Sequence, residues 1–340
     1  MKNLLQAQKL IYPDLLEVMK KRYDILYLIS VHEPIGRRVL IEKTTFTERF
    51  IRNEIELLQN QQLIEMTTKG MYVTETGKQI IEALFEFNHE LAHLTQLETE
   101  LKKKFKIGHV YVVPGNCDDQ SHTKLELGRA TVKLLKDIIH DDVTIAVTGG
   151  STMAAVAKVI GPFEKHECFF VPARGGIGEK VENQANTIIA KMAEATKGNY
   201  ELFHIPDPLN ESLYYSLINE SSIAHTLSLI RGADIVIHGI GDAITLAKRR
   251  KTSTETMKKL IEEEAVSEAF GYYFDKQGEI VHKVWTLGMQ LDDLVNVGHV
   301  VTVAGGESKA SAITSFLKQK KSDVLITDEA AAKKIIENDK

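Results

Sequence analysis

Three glycine turns in the second half of the sequence lie where an apolar, strand-like run ends and a helical pattern begins. The first turn, residues 149–152 (Gly-Gly-Ser-Thr), follows the apolar run Val143–Val147. In an open parallel sheet, the amides at such a helix N-terminus and nearby hydroxyl groups suit a phosphate. A tight strand-to-helix turn needs glycine for its geometry in any case, so one such turn leaves both interpretations open.

The other two turns repeat this arrangement with differences. Residues 305–309 (Gly-Gly-Glu-Ser-Lys) follow another apolar run and add Lys309, whereas residues 238–243 contain a Gly-Ile-Gly turn. Two Gly-Gly turns with hydroxyl groups, one of them with a lysine, favour a phosphate site over tight geometry alone. The sequence contains no GxxxxGK[ST] nucleotide motif, and the third turn lacks the last glycine of a dinucleotide motif.

Arginines near these turns supply concentrated positive charge. Arg174 ends an apolar run, and Arg249 and Arg250 follow the third turn after one helix. Arginine binds phosphate through two parallel hydrogen bonds. We therefore expect one phosphate at the first turn with Lys309 and a second phosphate at the three arginines. A solvated helix face is the alternative explanation for the basic run 248–251.

Two further polar side chains are candidates for the hydroxyl groups of a sugar. Gln184 precedes a helical pattern, and Glu268 precedes the run Ala-Phe-Gly. An amide and a carboxylate can both hydrogen-bond hydroxyls. A helix cap at residue 184 and a surface carboxylate at residue 268 are the alternatives.

Strand-like and helical segments alternate from residue 107 onward, which predicts an α/β domain with a parallel sheet covered on both faces. A hairpin with its tip at residues 275–278 interrupts this alternation. The predicted strands are residues 109–113, 143–147, 167–171, 201–205, 234–238, 300–303 and 324–327.

The first 76 residues contain three helical patterns followed by two short strand-like runs, the order of a winged helix-turn-helix. Arg49 and Arg52 lie three residues apart on the third helical pattern, the second helix of the helix-turn-helix pair, on the face where recognition helices reach DNA bases. Thr47 is predicted to cap that helix. The predicted contacts to DNA phosphates are Arg37, Arg38 and Lys43. A winged helix that binds protein is the alternative.

Charge supports the DNA interpretation. The first 80 residues have 12 basic against 10 acidic side chains, whereas the remaining residues have 30 against 37. A basic segment on an acidic chain is expected to be the part that meets a polyanion.

Residues 77–106 separate these two domains and show a heptad pattern. Apolar residues recur in steps of four and three, with Glu98 as an interruption. Such heptads predict a linker helix that pairs with a second copy, and a helix packed on its own C-terminal domain, residues 107–340, is the alternative. The heptad positions are Ile80, Leu84, Phe87, Leu91, Leu94, Glu98, Leu101 and Phe105.

Composition limits the class of protein. The chain has 340 residues, of which 43% are hydrophobic and 26% charged, as expected for two or three folded domains. It has neither a run of about eighteen apolar residues nor a signal sequence, so we expect a cytoplasmic protein without a membrane partner. Cys117 and Cys168 cannot build a disulfide framework, and neither a metal nor a cofactor is expected.

The order of these segments resembles the SorC-type sugar-binding transcriptional regulators. Within that family, the chain is similar to the repressors of central glycolytic genes of low-GC Gram-positive bacteria. The resemblance extends over essentially the whole chain. It rests on residues 33–38, 147–152, 171–176, 238–243, 268–274, 288–293 and 304–306.

The resemblance implies a repressor that binds operator DNA and responds to fructose 1,6-bisphosphate. Its Rossmann-like effector domain would share the fold of sugar-phosphate isomerases and deaminases without their reaction, and it would bind DNA as a dimer or a dimer of dimers. An enzyme with a regulatory head is the alternative, with Glu268, Asp242 and His238 as candidate general bases. The implied effector contacts are Gly149, Gly150, Ser151, Thr152, Arg174, Gln184, Arg249, Arg250, Glu268 and Lys309.

Overall fold

The structure is a computed structural model of the 340-residue chain. It describes residues 11–44, 46–91, 94–120, 122–163, 167–177 and 180–338. The chain divides into two compact units, residues 1–93 and residues 94–340. Among the described helices, none has the length and apolar composition that crossing a membrane requires.

The first unit is a winged helix-turn-helix, as the sequence predicts. Ile51, Ile55 and Leu58 on one face of its third helix are fully buried, and the two strands pair antiparallel as the wing. A backbone bridge between Ile35 and Met71 ties the wing to the segment before the second helix. The elements are α1 (Pro13–His32), α2 (Arg37–Glu42), α3 (Glu48–Asn60), β1 (Ile64–Thr67), β2 (Gly70–Val73) and α4 (Glu75–Leu91).

The second unit contains a seven-stranded parallel sheet, which confirms the predicted α/β class. Its strands are β3 (His109–Val113), β4 (Val143–Val147), β5 (Cys168–Pro172), β7 (Asn199–Tyr200), β9 (Ile235–His238), β14 (His299–Val303) and β15 (Val324–Asp328). Their spatial order is β3-β15-β14-β9-β4-β5-β7, and every neighbouring pair is parallel. The predicted strand at residues 201–205 is wrong, because pairing with β5 involves Asn199 and Tyr200 instead.

Helices join these strands. They are α5 (Leu94–Phe105), α6 (Thr123–Ile138), α7 (Ser151–Val159), α8 (Ala185–Thr196), α9 (Glu211–Ile218), α10 (Ser221–Arg231), α11 (Ala243–Arg249), α12 (Thr254–Glu262), α13 (Ala310–Leu317) and α14 (Glu329–Glu337). The chain moves outward from β4 through β5 to β7 on one side of the sheet and from β9 through β14 to β15 on the other. The order therefore reverses between β4 and β9, and such a switch point is where open α/β sheets bind ligands.

A small antiparallel sheet is inserted into this order, as the predicted hairpin requires. It consists of β10 (Gly241–Asp242), β11 (Ser267–Ala269), β12 (Tyr272–Phe274) and β13 (Ile280–Lys283), in that spatial order. The predicted tip at Asp275 is present, since Asp275 Oδ1 accepts hydrogen bonds from the amides of Gln277 and Glu279. A two-stranded pair, β6 (Gly176–Ile177) and β8 (Pro206–Asp207), completes the unit.

The heptad segment does not form the separate linker that the sequence predicts for residues 77–106. One helix, α4, ends at Leu91, and α5 packs on β3 and α14 of the second unit. Leu94, Leu101 and Phe105 are buried there, and Glu98 Oε1 accepts a hydrogen bond from the Val112 amide, which explains the polar heptad position. The second half of the pattern therefore serves packing within the chain. The predicted side-chain positions 87 and 91 lie outside the described side chains, and pairing through α4 stays a prediction.

Candidate functional site

A cavity of about 480 Å³ lies at the C-terminal ends of β4, β5 and β9, at the switch point of the sheet. This volume suits a small-molecule ligand. Nine of the ten predicted effector residues line it, and Arg250 is the exception. The nine are Gly149, Gly150, Ser151, Thr152, Arg174, Gln184, Arg249, Glu268 and Lys309.

The first glycine turn leaves the N-terminus of α7 open toward this cavity. Gly150 is the N-cap residue at a φ of 117°, and no side chain caps the helix. Gly149 is needed because a Cβ there would come within 2.8 Å of the Asn183 carbonyl oxygen, which accepts the Gly150 amide. The first amides of a helix have no partner within it. Those of α7 are therefore available to an anion in the cavity.

The other two glycine turns are capped by carboxylates of the chain. At the second turn, Asp118 accepts hydrogen bonds from the Ser308 amide and the Ser308 hydroxyl, both at 2.8 Å. At the third turn, Asp242 Oδ1 accepts the Thr245 amide at 2.8 Å and so caps α11. Asp118 thus occupies the amide and hydroxyl of Ser308 at the second turn, whereas the predicted contribution of that turn to the site is Lys309.

Besides Arg174, three cationic side chains line the cavity: Lys124, Arg249 and Lys309. Lys309 Nζ donates to the Ile240 carbonyl oxygen at 3.0 Å. Burial lowers the pKa of Lys309, and the nearby charges of Lys124 and Arg249 lower it further. Positive groups that repel one another in a partly buried site are stabilised when an anion binds among them.

Lys124 is a site residue that the sequence analysis missed. Its Nζ donates to Ser151 Oγ at 3.4 Å, so it lies beside the first turn. Lys124 is in the first turn of α6, the helix that follows β3. The available sequence signal was its position after a predicted strand, but the intervening loop contains the single glycine Gly115 and no Gly-Gly pair.

Arg174 and Arg250 belong to a buried ion network and do not form the second phosphate site that the sequence predicts. Arg250 Nη2 donates to Glu268 Oε1 at 2.8 Å, and Arg250 Nε donates to Asp207 Oδ1 at 3.3 Å. Arg174 contacts the same two carboxylates, at 2.9 Å and 3.1 Å. Two guanidinium groups thus balance two carboxylates, which leaves Arg249 as the exposed arginine of the predicted three at the cavity.

The residues considered as general bases have structural partners. His238 is fully buried, donates from Nδ1 to the Gly239 carbonyl and accepts from Thr302 at Nε2, and burial lowers its pKa to about 4. It is therefore neutral at neutral pH. Asp242 caps α11, and Glu268 lies in the ion network. Within the described part of the chain, no cluster of His, Cys, Asp and Glu could hold a metal.

Gln184 immediately precedes α8 and lines the cavity. Its side chain makes no capping hydrogen bond to that helix. Residue 184 therefore occupies the N-cap position, as the alternative explanation predicts, but does not cap through its side chain. A contact of this side chain to a ligand hydroxyl stays a prediction.

The predicted DNA contacts are exposed on the first unit. Thr47 caps α3, since its Oγ1 accepts the Phe50 amide at 3.3 Å. Arg49 and Arg52 lie on the face of α3 away from the buried Ile51 and Ile55. Arg52 donates to Glu48 in an exposed ion pair of 3.0 Å. The remaining predicted contacts, which lie at the two ends of α2, are Arg37, Arg38 and Lys43.

Comparison with known proteins matches both units. Residues 18–87 match the CggR N-terminal DNA binding domain, and residues 89–337 match the Sugar-bind model, a sugar-binding domain. The chain is 48% identical over 338 residues to the central glycolytic genes regulator of Priestia megaterium, covering 99% of each protein. It is 45% identical over 340 residues to the regulator of the same name from Bacillus subtilis, covering 100% of each.

A solved structure agrees with the second unit. A SorC family transcriptional regulator from Enterococcus faecalis superimposes with a TM-score of 0.67 at 44% sequence identity. The match covers 71% of this chain and 99% of that one.

Proposed function

The chain belongs to the SorC-type family of sugar-binding transcriptional regulators, and we propose that it represses a central glycolytic operon in response to fructose 1,6-bisphosphate. It is a regulator and not an enzyme, in agreement with its full-length relatives. The observation that supports the effector most directly is the uncapped N-terminus of α7 beside Lys124 and Lys309. Amides and ammonium groups converge there on a space that suits one phosphate.

A bisphosphate needs a further cation besides Lys124 and Lys309. Arg249 supports this, because it lies on the cavity wall and its side chain is exposed. The sugar would lie between the two phosphates, with its hydroxyl groups facing Gln184 and Glu268 on the cavity wall. The sugar phosphate would bind reversibly as an effector. No bound cofactor is part of this proposal.

The first unit would bind the operator through α3. Arg49 and Arg52 would contact bases in the major groove, while Arg37, Arg38 and Lys43 would contact DNA phosphates. Helix-turn-helix proteins bind paired half-sites as dimers, so we include a dimer, or a dimer of dimers, in the proposal. A regulator of a bacterial operon acts in the cytoplasm.

The test is selection of binding sequences from a random duplex pool by the full-length protein, followed by titration of the enriched DNA. We expect one enriched sequence family, and an affinity that changes when fructose 1,6-bisphosphate is added. Arg52→Ala should abolish specific binding, since one bidentate base contact contributes about 1–3 kcal/mol of discrimination.

Lys78→Ala is the matched control, because Lys78 is likewise an exposed cation of the first unit in an ion pair with a glutamate one turn away. It should bind the enriched DNA like the wild type. Absence of any enriched sequence would contradict the DNA proposal. Enriched DNA whose binding ignores fructose 1,6-bisphosphate would contradict the effector.

A further inference from the structure

The two carboxylate oxygens of Glu268 have different surroundings. Oε1 accepts three hydrogen bonds, from Arg174 Nη1, Arg250 Nη2 and the Gly271 amide, at 2.8–2.9 Å. Within the residues that the structure describes, no hydrogen bond reaches Oε2. A Cβ built on Gly241, which lines the cavity, would lie 3.6 Å from Oε2. The residue itself is only 4% exposed.

Arg250 connects Glu268 to two neighbouring strands through its side-chain hydrogen bonds. Its side chain is 1% exposed, and its three donor groups each have a different partner. Nη2 binds Glu268 and Nε binds Asp207, while Nη1 donates to the Tyr273 hydroxyl at 2.8 Å. These partners come from β11, β8 and β12, so the planar guanidinium fixes the position of Glu268 relative to three strands.

The hydrogen bonds to Glu268 Oε1 also determine the direction of Glu268 Oε2. Three donors to Oε1 restrain the rotation of the carboxylate, and Oε2 lies toward Gly241 on the cavity wall. Oε2 is the Glu268 carboxylate oxygen to which no described residue donates, so a donor that enters the cavity can form a charge-assisted hydrogen bond with it. A hydroxyl group can donate such a bond, whereas a phosphate has only acceptor oxygens when ionised and is repelled by the carboxylate.

We propose that Arg250 is a positioning residue: with Asp207 and Tyr273 it holds Glu268 so that Oε2 accepts a hydrogen bond from a sugar hydroxyl. The site thereby selects a hydroxyl-bearing phosphate over a bare phosphate. This inference rests on the proposed function, because it requires a sugar phosphate in the cavity. Arg250 does not itself contact the ligand.

The test is a double-mutant cycle on the full chain, measured by calorimetry with fructose 1,6-bisphosphate. Arg250→Lys keeps the charge balance, but its single nitrogen cannot reproduce the planar arrangement of Nε, Nη1 and Nη2 that bonds the three partners. Arg250→Lys and Glu268→Gln should each lower the affinity by about tenfold to a hundredfold, the value of one charge-assisted hydrogen bond. The double variant should be no weaker than the weaker single variant, because both changes remove the same hydrogen bond.

Inorganic phosphate is the second probe, followed through its effect on the melting temperature. Its binding should be unchanged in Arg250→Lys, since it uses only the α7 site. If Arg250→Lys does not fold, Tyr273→Phe replaces it in the cycle. That variant removes one partner of Arg250 without a change of charge, and about a threefold loss of affinity is expected.

Additive losses in the cycle, or an equal loss for inorganic phosphate, would overturn the positioning role while leaving the proposed function intact. A wild-type protein that binds another sugar phosphate but not fructose 1,6-bisphosphate would contradict the proposed effector alone, and the cycle would then use that sugar phosphate. Binding of inorganic phosphate without any sugar phosphate would contradict both.

Discussion

The two Gly-Gly turns of the sugar-binding unit have nearly the same backbone conformation but differ in whether their amides can bind an anion. Gly150 follows β4 and Gly306 follows β14, at φ values of 117° and 110°, and each begins a helical turn. At the first turn no side chain caps the helix, whereas at the second Asp118 binds the Ser308 amide and hydroxyl. A Gly-Gly pattern therefore specifies the backbone conformation, and a distant capping residue determines whether an anion can bind.

The capped turn still contributes to the site through its lysine. Lys309 leaves the second turn, donates to the Ile240 carbonyl and lines the cavity next to the first turn. One turn thus supplies amides and the other supplies a charge. The amides of the first turn and the charge of Lys309 can therefore be removed separately by substitution.

The largest effect is expected when the open turn is given its own carboxylate. Ser151→Asp places a negative charge in the first turn of α7, as Asp118 does for the second turn. Repulsion between this charge and a phosphate a few ångströms away should lower the affinity for fructose 1,6-bisphosphate at least about a hundredfold. Calorimetry on the full chain measures this loss.

Ser151→Asn is the matched control, since it has nearly the same shape without the charge, and it should retain most of the affinity. The melting temperature of Ser151→Asp should be equal to or above that of the wild type, because an acidic residue stabilises a helix N-terminus. Full affinity in Ser151→Asp would show that the phosphate binds elsewhere.

The second effect concerns the charge from the capped turn. Lys309→Met removes the ammonium group and keeps the length of the side chain. Fructose 1,6-bisphosphate and inorganic phosphate should both bind about tenfold to a hundredfold more weakly, because the lysine serves the shared phosphate site. A loss for the bisphosphate alone would move Lys309 to the second phosphate.

The third effect is a pH dependence with opposite signs for stability and binding. The pKa of Lys309 is lowered from 10.5 by burial and by Lys124, so the folded protein releases this proton before the unfolded chain does. Between the lowered pKa and 10.5, the unfolded chain binds more protons, and the free energy of unfolding gains a contribution that rises with pH. A bound phosphate favours the charged lysine, so affinity should fall as pH rises through the same lowered pKa.

The phosphate groups do not change charge in this range, because their second pKa is about 6. Calorimetry from pH 7.5 upward should show a loss of affinity that approaches, and does not exceed, the loss in Lys309→Met. The methionine variant should lack this pH dependence. If the variant and the wild type lose affinity in parallel, another group is responsible.

Most of the fold and much of the site follow from local sequence patterns. A hydrophobic period or a turn motif within a short segment is enough to predict each of three features: the parallel strands, the winged helix and the inserted hairpin. Nine of the ten predicted effector residues line the cavity for the same reason, since strand ends and helix starts place them there. Lys124 was missed because the packing of β3 beside β15, and not a local motif, brings it to this edge.

The errors come from interactions between residues that are far apart in the sequence. Arg250 looked like a phosphate ligand beside Arg249, but its partners Asp207 and Glu268 neutralise it inside the protein. The heptad pattern at Leu94 and Leu101 looked like a pairing seam, yet it packs on β3 and α14. Helical periodicity identifies an apolar face and does not say which surface covers it.

The smallest effect is expected when the capped turn is opened. Asp118→Ala leaves the Ser308 amide and hydroxyl without their acceptor, and loss of a cap costs about 1 kcal/mol. The melting temperature should therefore fall by about 2–4 °C. The charge of Asp118 also raises the pKa of Lys309, and its removal makes the potential around the lysine more positive. Affinity for fructose 1,6-bisphosphate should rise by about threefold at low salt and by less at high salt.

Ser308→Ala is the matched control, because it removes one hydrogen bond to Asp118 and keeps the carboxylate. It should lower stability slightly and leave affinity unchanged. A weaker bisphosphate affinity in Asp118→Ala would mean that the cap positions Lys309, and the two turns would then be one cooperative site instead of two separable contributions.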